Sequence, residues 1–177
     1  CLEAMAGLPD ASIDMILCDL PYGTTACKWD TVIPFEPLWA QYRRVAKRNA
    51  AIVLTASQPF TSALVMSNLR DFRYSWVWEK TRGSSPYLAR VQPLRCHEDV
   101  CVFGNKPRYY PQKTEGASYT ISPRAGGRVA SDERSNREGF VGKVGSGRLP
   151  RSVVKFSNPS AEMGLHPTQK PVALMEY

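Results

Sequence analysis

Four consecutive residues, Asp19-Leu20-Pro21-Tyr22, combine a carboxylate, a restrained backbone and a flat ring with a polar tip. A carboxylate accepts hydrogen bonds. Proline biases the residue before it towards extended geometry, which can turn the Leu20 carbonyl outward as a second acceptor. Two acceptors beside an aromatic plate suit a planar ligand that carries an exocyclic amine, and adenine and cytosine are such ligands. Taken alone, the four residues are explained more simply as a turn leaving a strand. What surrounds them decides between the two.

Ile13 to Cys18 is apolar at every position but Asp14 and reads as a buried strand, bounded by Pro9-Asp10 and by Pro21-Tyr22-Gly23. In an open parallel sheet, ligands bind beyond the carboxyl ends of the strands, and Asp19 stands at that edge. Phe35, Leu38, Trp39, Tyr42, Val45 and Ala46 recur at helical spacing, with Arg43, Arg44, Lys47 and Arg48 on the polar side and at the C-terminal end, where cations suit the helix dipole. Asn49 is expected to end this helix. Ala50 to Thr55 reads as a second buried strand. Ser57 is expected to cap a further helix with Pro59 in its first turn and Phe60, Ala63, Leu64 and Ser67 on its inner face. Tyr74 to Glu79 and Asp99 to Phe103 read as strands, with Trp76 and Trp78 packing on the sheet. The alternation predicts an α/β fold with a largely parallel sheet and room for a hairpin at its later edge.

The chain has 177 residues, enough for one domain with a real core, and its 43% apolar and 22% charged content is that of an ordinary globular protein. No apolar run approaches the roughly 20 residues needed to cross a bilayer. The first residues have neither the basic start nor the apolar centre of a signal peptide and lack an initiator Met, so a fragment is expected. Five cysteines form no C-x-x-C pair, which predicts free thiols and a cytoplasmic location. Cys96, His97, Glu98 and Cys101 tempt as metal ligands, but positions five apart on a strand face opposite sides, and no metal is expected. The net charge of +7 is concentrated: residues 104 to 155 hold 11 Lys and Arg against 4 Asp and Glu, whereas the remainder holds 12 of each. That segment is rich in glycine and poor in apolar residues. A long insert of this kind inside a compact domain points to a functional or linker role, and its charge to a phosphate-facing surface or a solvated loop.

Asp19-Leu20-Pro21-Tyr22 resembles the Asp-Pro-Pro-Tyr motif of amino-directed DNA methyltransferases. "SIDMILCDLPYGTTACKWD", "PLWAQYRRVAKRNAAIVLTAS", "WVWEKTRG", "PLRCHEDVCVFGN" and "HPTQKPVALMEY" follow in the order of the β class of these enzymes, in which the catalytic motif precedes the cofactor motif. The likeness covers residues 1 to 104 and 157 to 177. It implies a Rossmann-like S-adenosylmethionine-dependent methyltransferase fold in circularly permuted order, apparently truncated at both ends. Residues 1–104 would form the catalytic region, 105–156 a basic target-recognition insert, and 157–177 the return to the catalytic domain.

The resemblance further implies methyl transfer from S-adenosylmethionine to adenine N6 in double-stranded DNA, on a base flipped out of the duplex. Asp19 and the Leu20 carbonyl would accept the two amine hydrogens, with Pro21 restraining the backbone and Tyr22 stacking on the ring. Leu20 replaces the commoner proline, but the role falls on a carbonyl. Cys1, Leu2, Asp19, His166, Thr168, Lys170 and Pro171 match cofactor-binding positions; Lys170 would pair with the cofactor carboxylate, aided by the dipole of a helix opening near Pro171. Glu79-Lys80 occupies a family motif, placing Lys80 at the cleft, on a phosphate or in a surface ion pair. His97-Glu98 matches another, read as structural. Arg124, Arg128, Arg134, Arg137, Lys143, Arg148 and Arg151 would meet DNA phosphates or read guanine. The resemblance involves no membrane and leaves room for a homodimer. Cytosine N4 is the nearest alternative target, which Ser at position 19 would have favoured. A glutamine-modifying protein methyltransferase would usually carry Asn there. A DNA-binding remnant without turnover is the reading outside enzymology.

Overall fold

The computed structural model describes residues 1–116, 119–121, 142–144, 147–158 and 169–177. These form two compact units, residues 1–109 with 152–177, and residues 110–151.

The larger unit is built on a five-stranded sheet. Strand β1 (Ile13–Asp19) pairs in parallel with β2 (Ala46–Ala56), which pairs antiparallel with β4 (Arg95–Phe103). β4 pairs antiparallel with β3 (Phe72–Ser84), and β3 pairs in parallel with β7 (Val153–Phe156). The spatial order is β1-β2-β4-β3-β7. The sheet is thus mixed rather than largely parallel, and its antiparallel hairpin sits in the interior, not at the edge. Residues 153–156, assigned by sequence to the basic insert, belong to this sheet.

Period-two alternation divides the strands between two cores. On one face, Ile52, Leu54 and Ala56 of β2 and Cys101 and Phe103 of β4 meet helices α2 (Phe35–Val45) and α3 (Phe60–Ser67). Helix α2 buries Leu38, Trp39, Tyr42 and Val45, the three-and-four spacing of one helical face. Each such side chain contributes about 2 kcal/mol by leaving water. Helix α1 (Leu2–Ala6) adds Leu2 and Met5 to the rim of this core. On the other face lie Val53, Trp78, Val100 and Val102, covered by Leu174 of the short helix α4 (Val172–Glu176).

Three local expectations are corrected. Strand β1 is not buried: it is an edge strand, and Met15 and Leu17 on the α4 face are 52% and 40% exposed. Helix α2 ends at Val45 and the chain enters β2 at Ala46 without a turn, so Lys47, Arg48 and Asn49 open a strand and Asn49 ends no helix. Arg43, Arg44 and Lys47 find carboxylates, on Asp71, Asp10 and Asp14. Ser57 does not cap α3, whose N-terminal position is Pro59; its hydroxyl instead accepts from Arg95. In the smaller unit, β5 (Tyr119–Ile121) pairs antiparallel with β6 (Gly142–Val144), and Thr114 and Arg148 exchange backbone hydrogen bonds. The sequence pattern had shown no strand there.

Candidate active site

Asp19 is the last residue of β1, level with Thr55 of β2, and both side chains point to the α4 face. The Thr55 hydroxyl donates to Asp19 Oδ1. The Tyr22 hydroxyl donates to the same oxygen at 2.9 Å, and the Lys170 ammonium stands 3.1 Å from Oδ2. A carboxylate offers about four acceptor positions, so about one remains open. The Asp19 side chain is 32% exposed, which leaves that acceptor within reach of a ligand.

Beside it lies a second acid. Glu98, in β4 opposite Trp78 of β3, is 12% exposed and held by two lysines. Lys80 of β3 donates to Oε1, and Lys170 lies 3.2 Å from Oε2. The Tyr22 hydroxyl is 3.4 Å from Oε2. Lys80 and Lys170 are themselves 10% and 9% exposed. Buried charges persist only when paired, and here two acids and two bases alternate: Asp19, Lys170, Glu98, Lys80. The ammonium groups also lie over rings, Lys80 at 5.1 Å from the Trp78 centroid and Lys170 at 5.3 Å from that of Tyr22.

The Tyr22 ring stacks on Phe60, the first residue of α3, with centroids 5.2 Å apart and planes 22° from parallel. Burial, with the charges of Asp19 and Glu98 nearby, pushes the Tyr22 hydroxyl far above its ordinary range, so it stays a proton donor. Leu20 has its side chain in the core, 6% exposed, and its carbonyl follows the last β1–β2 pair.

The chain after Tyr22 is fixed by Asp30. Gly23 turns at φ +68°, a left-handed conformation, and a Cβ there would lie 2.8 Å from Val32 Cγ2. The Gly23 N–H then donates to Asp30 Oδ1 at 2.8 Å, while those of Thr24 and Thr25 donate to Oδ2 at 2.9 and 2.7 Å. Burial alone would raise the Asp30 carboxyl. The hydrogen bonds from Gly23, Thr25 and Thr24 outweigh it and hold the group at about 2.

Asp19, Leu20, Pro21, Tyr22, Lys80 and Lys170 therefore lie in one neighbourhood. Lys80 is a buried partner of Glu98, which corrects its placement on a phosphate or in a surface pair. Lys170 faces Asp19 and Glu98 and directly precedes Pro171, the N-terminal position of α4. Pro171 is buried at the start of α4. Cys1 is exposed and Leu2 packs at the rim of the α2–α3 core. Arg151 is exposed, and Arg148 takes part in the backbone bridge to Thr114. Lys143 lies in β6. His166, Thr168, Arg124, Arg128, Arg134 and Arg137 lie outside the described residues. Among the described residues no three His, Cys, Asp or Glu side chains gather as metal ligands, and no helix is long and apolar enough to cross a membrane.

Sequence reasoning missed Thr55, Phe60 and Asp30, and gave Glu98 only a structural role. Thr55 had a signal: a lone hydroxyl ending an apolar run on the strand next to β1.

No family model matches the chain. Its fold does match solved structures. Against the M1.HpyAVI–SAM complex the TM-score is 0.54 at 18% identity, over 99% of this chain and 68% of that one. Against PvuII DNA methyltransferase, cytosine-N4-specific, it is 0.57 at 12% identity, over 99% and 65%. The chain thus spans about two thirds of the length of each. At these identities the likeness concerns the fold, and the chain has the S-adenosylmethionine-dependent methyltransferase fold of these neighbours.

Proposed function

We propose that this chain carries the catalytic face of a DNA methyltransferase that moves a methyl group from S-adenosylmethionine to the N6 amine of an adenine flipped out of duplex DNA. The observation that supports it best is the geometry at the end of β1: a partly exposed carboxylate, next to the Leu20 carbonyl and the Tyr22 ring. One amine hydrogen would go to Asp19 and the other to Leu20. Accepting both draws the nitrogen lone pair out of ring conjugation, and the Asp19 charge stabilises the amine as it becomes cationic. The acceleration comes from positioning and from charge set in place beforehand.

The donor set fits the cofactor. S-adenosylmethionine supplies an electrophilic methyl group on a positively charged sulfur, and this site already surrounds a cation, the Lys170 ammonium, with two carboxylates and a ring. Asp19 and Lys170, with Pro171 beside them, are the described residues we assign to cofactor contact; Cys1, Leu2, His166 and Thr168 join them on the resemblance. Residues 1–104 and 157–177 would act as the catalytic part. Of residues 105–156, those before β7 would face the DNA, with Arg124, Arg128, Arg134, Arg137, Lys143, Arg148 and Arg151 on phosphates or guanines.

One observation favours a second reading. The solved structure with a TM-score of 0.57 is a cytosine-N4-specific enzyme, and cytosine offers the same pair of amine hydrogens. The test is to incubate the chain with unmethylated duplex DNA of mixed sequence and methyl-labelled S-adenosylmethionine, then digest the DNA to nucleosides. Label in N6-methyladenine is the expected result, and label in N4-methylcytosine moves the target. DNA binding without label leaves a binding remnant.

A further inference from the structure

The Lys170 ammonium meets at once the two demands made of a substrate amine. It lies 3.1 Å from Asp19 Oδ2 and over the Tyr22 ring, 5.3 Å from its centroid. An amine gripped by Asp19, on a base stacked against Tyr22, needs the same hydrogen-bond distance and the same ring. Phe60 already stacks on Tyr22, which narrows the space left around the ring. Lys170 is also held in place: Glu98 Oε2 lies 3.2 Å away, and the other Glu98 oxygen is tied down by Lys80.

Charge bookkeeping points the same way. With Lys170 in place, two acids face two bases and the cluster is neutral. Without it, Asp19, Glu98 and Lys80 leave one net negative charge facing the amine, the sign wanted when that amine becomes cationic. We infer that Lys170 is a displaceable plug: its ammonium occupies the amine pocket of the empty site, clamped there by Glu98, and an incoming amino-bearing base drives it out. The inference rests on the reading of Asp19 as an amine acceptor and goes beyond it. It makes Lys170 a competitor of the substrate, and Glu98 the residue that sets how strongly it competes.

A plug lowers apparent affinity by the fraction of sites it leaves open. If it fills about nine sites in ten, its removal tightens binding about tenfold. The test uses free nucleosides, read by saturation-transfer NMR on the full chain, so that methyl transfer plays no part. Lys170→Met keeps the stem and removes the ammonium. It should bind adenosine and cytidine about tenfold more tightly, while uridine, with oxygen in place of the cytidine amine, gains nothing. Glu98→Gln, which loosens the clamp, should change binding in the same direction and by less. Unchanged or weaker adenosine binding in Lys170→Met overturns the inference, as does an equal gain for uridine or no nucleoside binding by either protein.

The wild-type chain gives a measurement free of any folding defect. Lys170, 9% exposed, should resist acetylation where Lys155, 63% exposed, does not. Adenosine near its solubility limit should raise Lys170 labelling severalfold and uridine should not; labelling indifferent to adenosine overturns the plug. A chain that behaves in this way yet methylates no DNA sinks the proposed function and leaves the plug standing.

Discussion

Asp30 offers a perturbation whose size and pH dependence can be worked out in advance. Its carboxylate is 8% exposed and accepts the N–H groups of Gly23, Thr24 and Thr25, which fix the chain just after Tyr22. In Asp30→Asn the shape is kept, and the amide oxygen can still accept from Gly23. The new NH2 then faces the donors of Thr24 and Thr25, so two charge-assisted bonds are lost. Such bonds contribute about 1.5–3 kcal/mol each and do not add fully, and water reaches the exposed Thr24 and Thr25. A cost of about 2–3 kcal/mol follows.

The lowered carboxyl puts a second figure on the same hydrogen bonds. A carboxyl held at about 2, against its ordinary 3.8, contributes about 2 kcal/mol to stability at neutral pH. The folded-state value is depressed. The contribution is therefore complete above the unfolded value near 4 and is lost as pH falls towards 2. Urea unfolding of both proteins at a series of pH values is the assay. The stability gap should be about 2 kcal/mol at pH 7 and shrink steadily below pH 4. A gap of the same size at pH 7 and pH 2.5 would refute the assignment of the effect to the ionised carboxylate. A gap under about 0.5 kcal/mol at pH 7 would refute the hydrogen-bond account altogether.

Other substitutions test the rest of the frame. Phe60→Ala, at a residue 4% exposed that carries the Tyr22 stack and part of the core, should cost about 3–5 kcal/mol in urea unfolding. A cost below about 1 kcal/mol would show that α3 does not support the site. Lys80→Met leaves Glu98 with Lys170 as its one ion-pair partner and the Tyr22 hydroxyl beside it. It should destabilise the chain by about 1–3 kcal/mol, less than breaking an isolated buried pair because the acid keeps one partner. A stabilised variant would mean that the Lys80 desolvation cost exceeds its attraction to Glu98. Arg44→Ala removes donors to the Met5 and Leu8 carbonyls and to Asp10. Amide exchange should accelerate across residues 2–8 and stay unchanged in β2; acceleration in both would mean that Arg44 supports the whole α2 face.

The parts of the molecule written in local patterns were legible beforehand. Ile13 to Cys18, Phe35 to Val45, and Ala50 to Thr55 carry their periodicities on the surface of the sequence, and the position of Asp19 at a strand end followed from them. The junction at Ala46 was not legible, because no glycine or proline marks it and Lys47-Arg48-Asn49 look like a helix end rather than an exposed strand start. Strand β3 runs on through Lys80-Thr81-Arg82-Gly83, where a polar stretch conceals strand geometry, because Lys80 is satisfied by Glu98 on the neighbouring strand. Val153 to Phe156 is too short and too close to the basic segment to stand out; its pairing with β3 is a property of the sheet. The Asp19–Lys170–Glu98 cluster joins residues from three distant stretches. A sequence can offer each member, but the register of β1, β2, β4 and β3 brings Asp19 and Glu98 together, and the segment entering α4 adds Lys170. Asp30 bonds to residues only five to seven positions away, yet its partners are backbone groups, which leave no trace in residue type.

The central claim is that Asp19 accepts the amine that is methylated, and one comparison addresses it directly. Wild type and Asp19→Ala, both shown to be folded by circular dichroism and by binding the same duplex DNA, are incubated with that DNA and methyl-labelled S-adenosylmethionine. Label is then counted in the purified nucleosides. The account predicts label in an amino-methylated base with wild type and a loss of at least about a thousandfold with Asp19→Ala, the scale of a lost charged transition-state contact. Transfer by Asp19→Ala within about tenfold of wild type would contradict it and move the chemistry away from the end of β1.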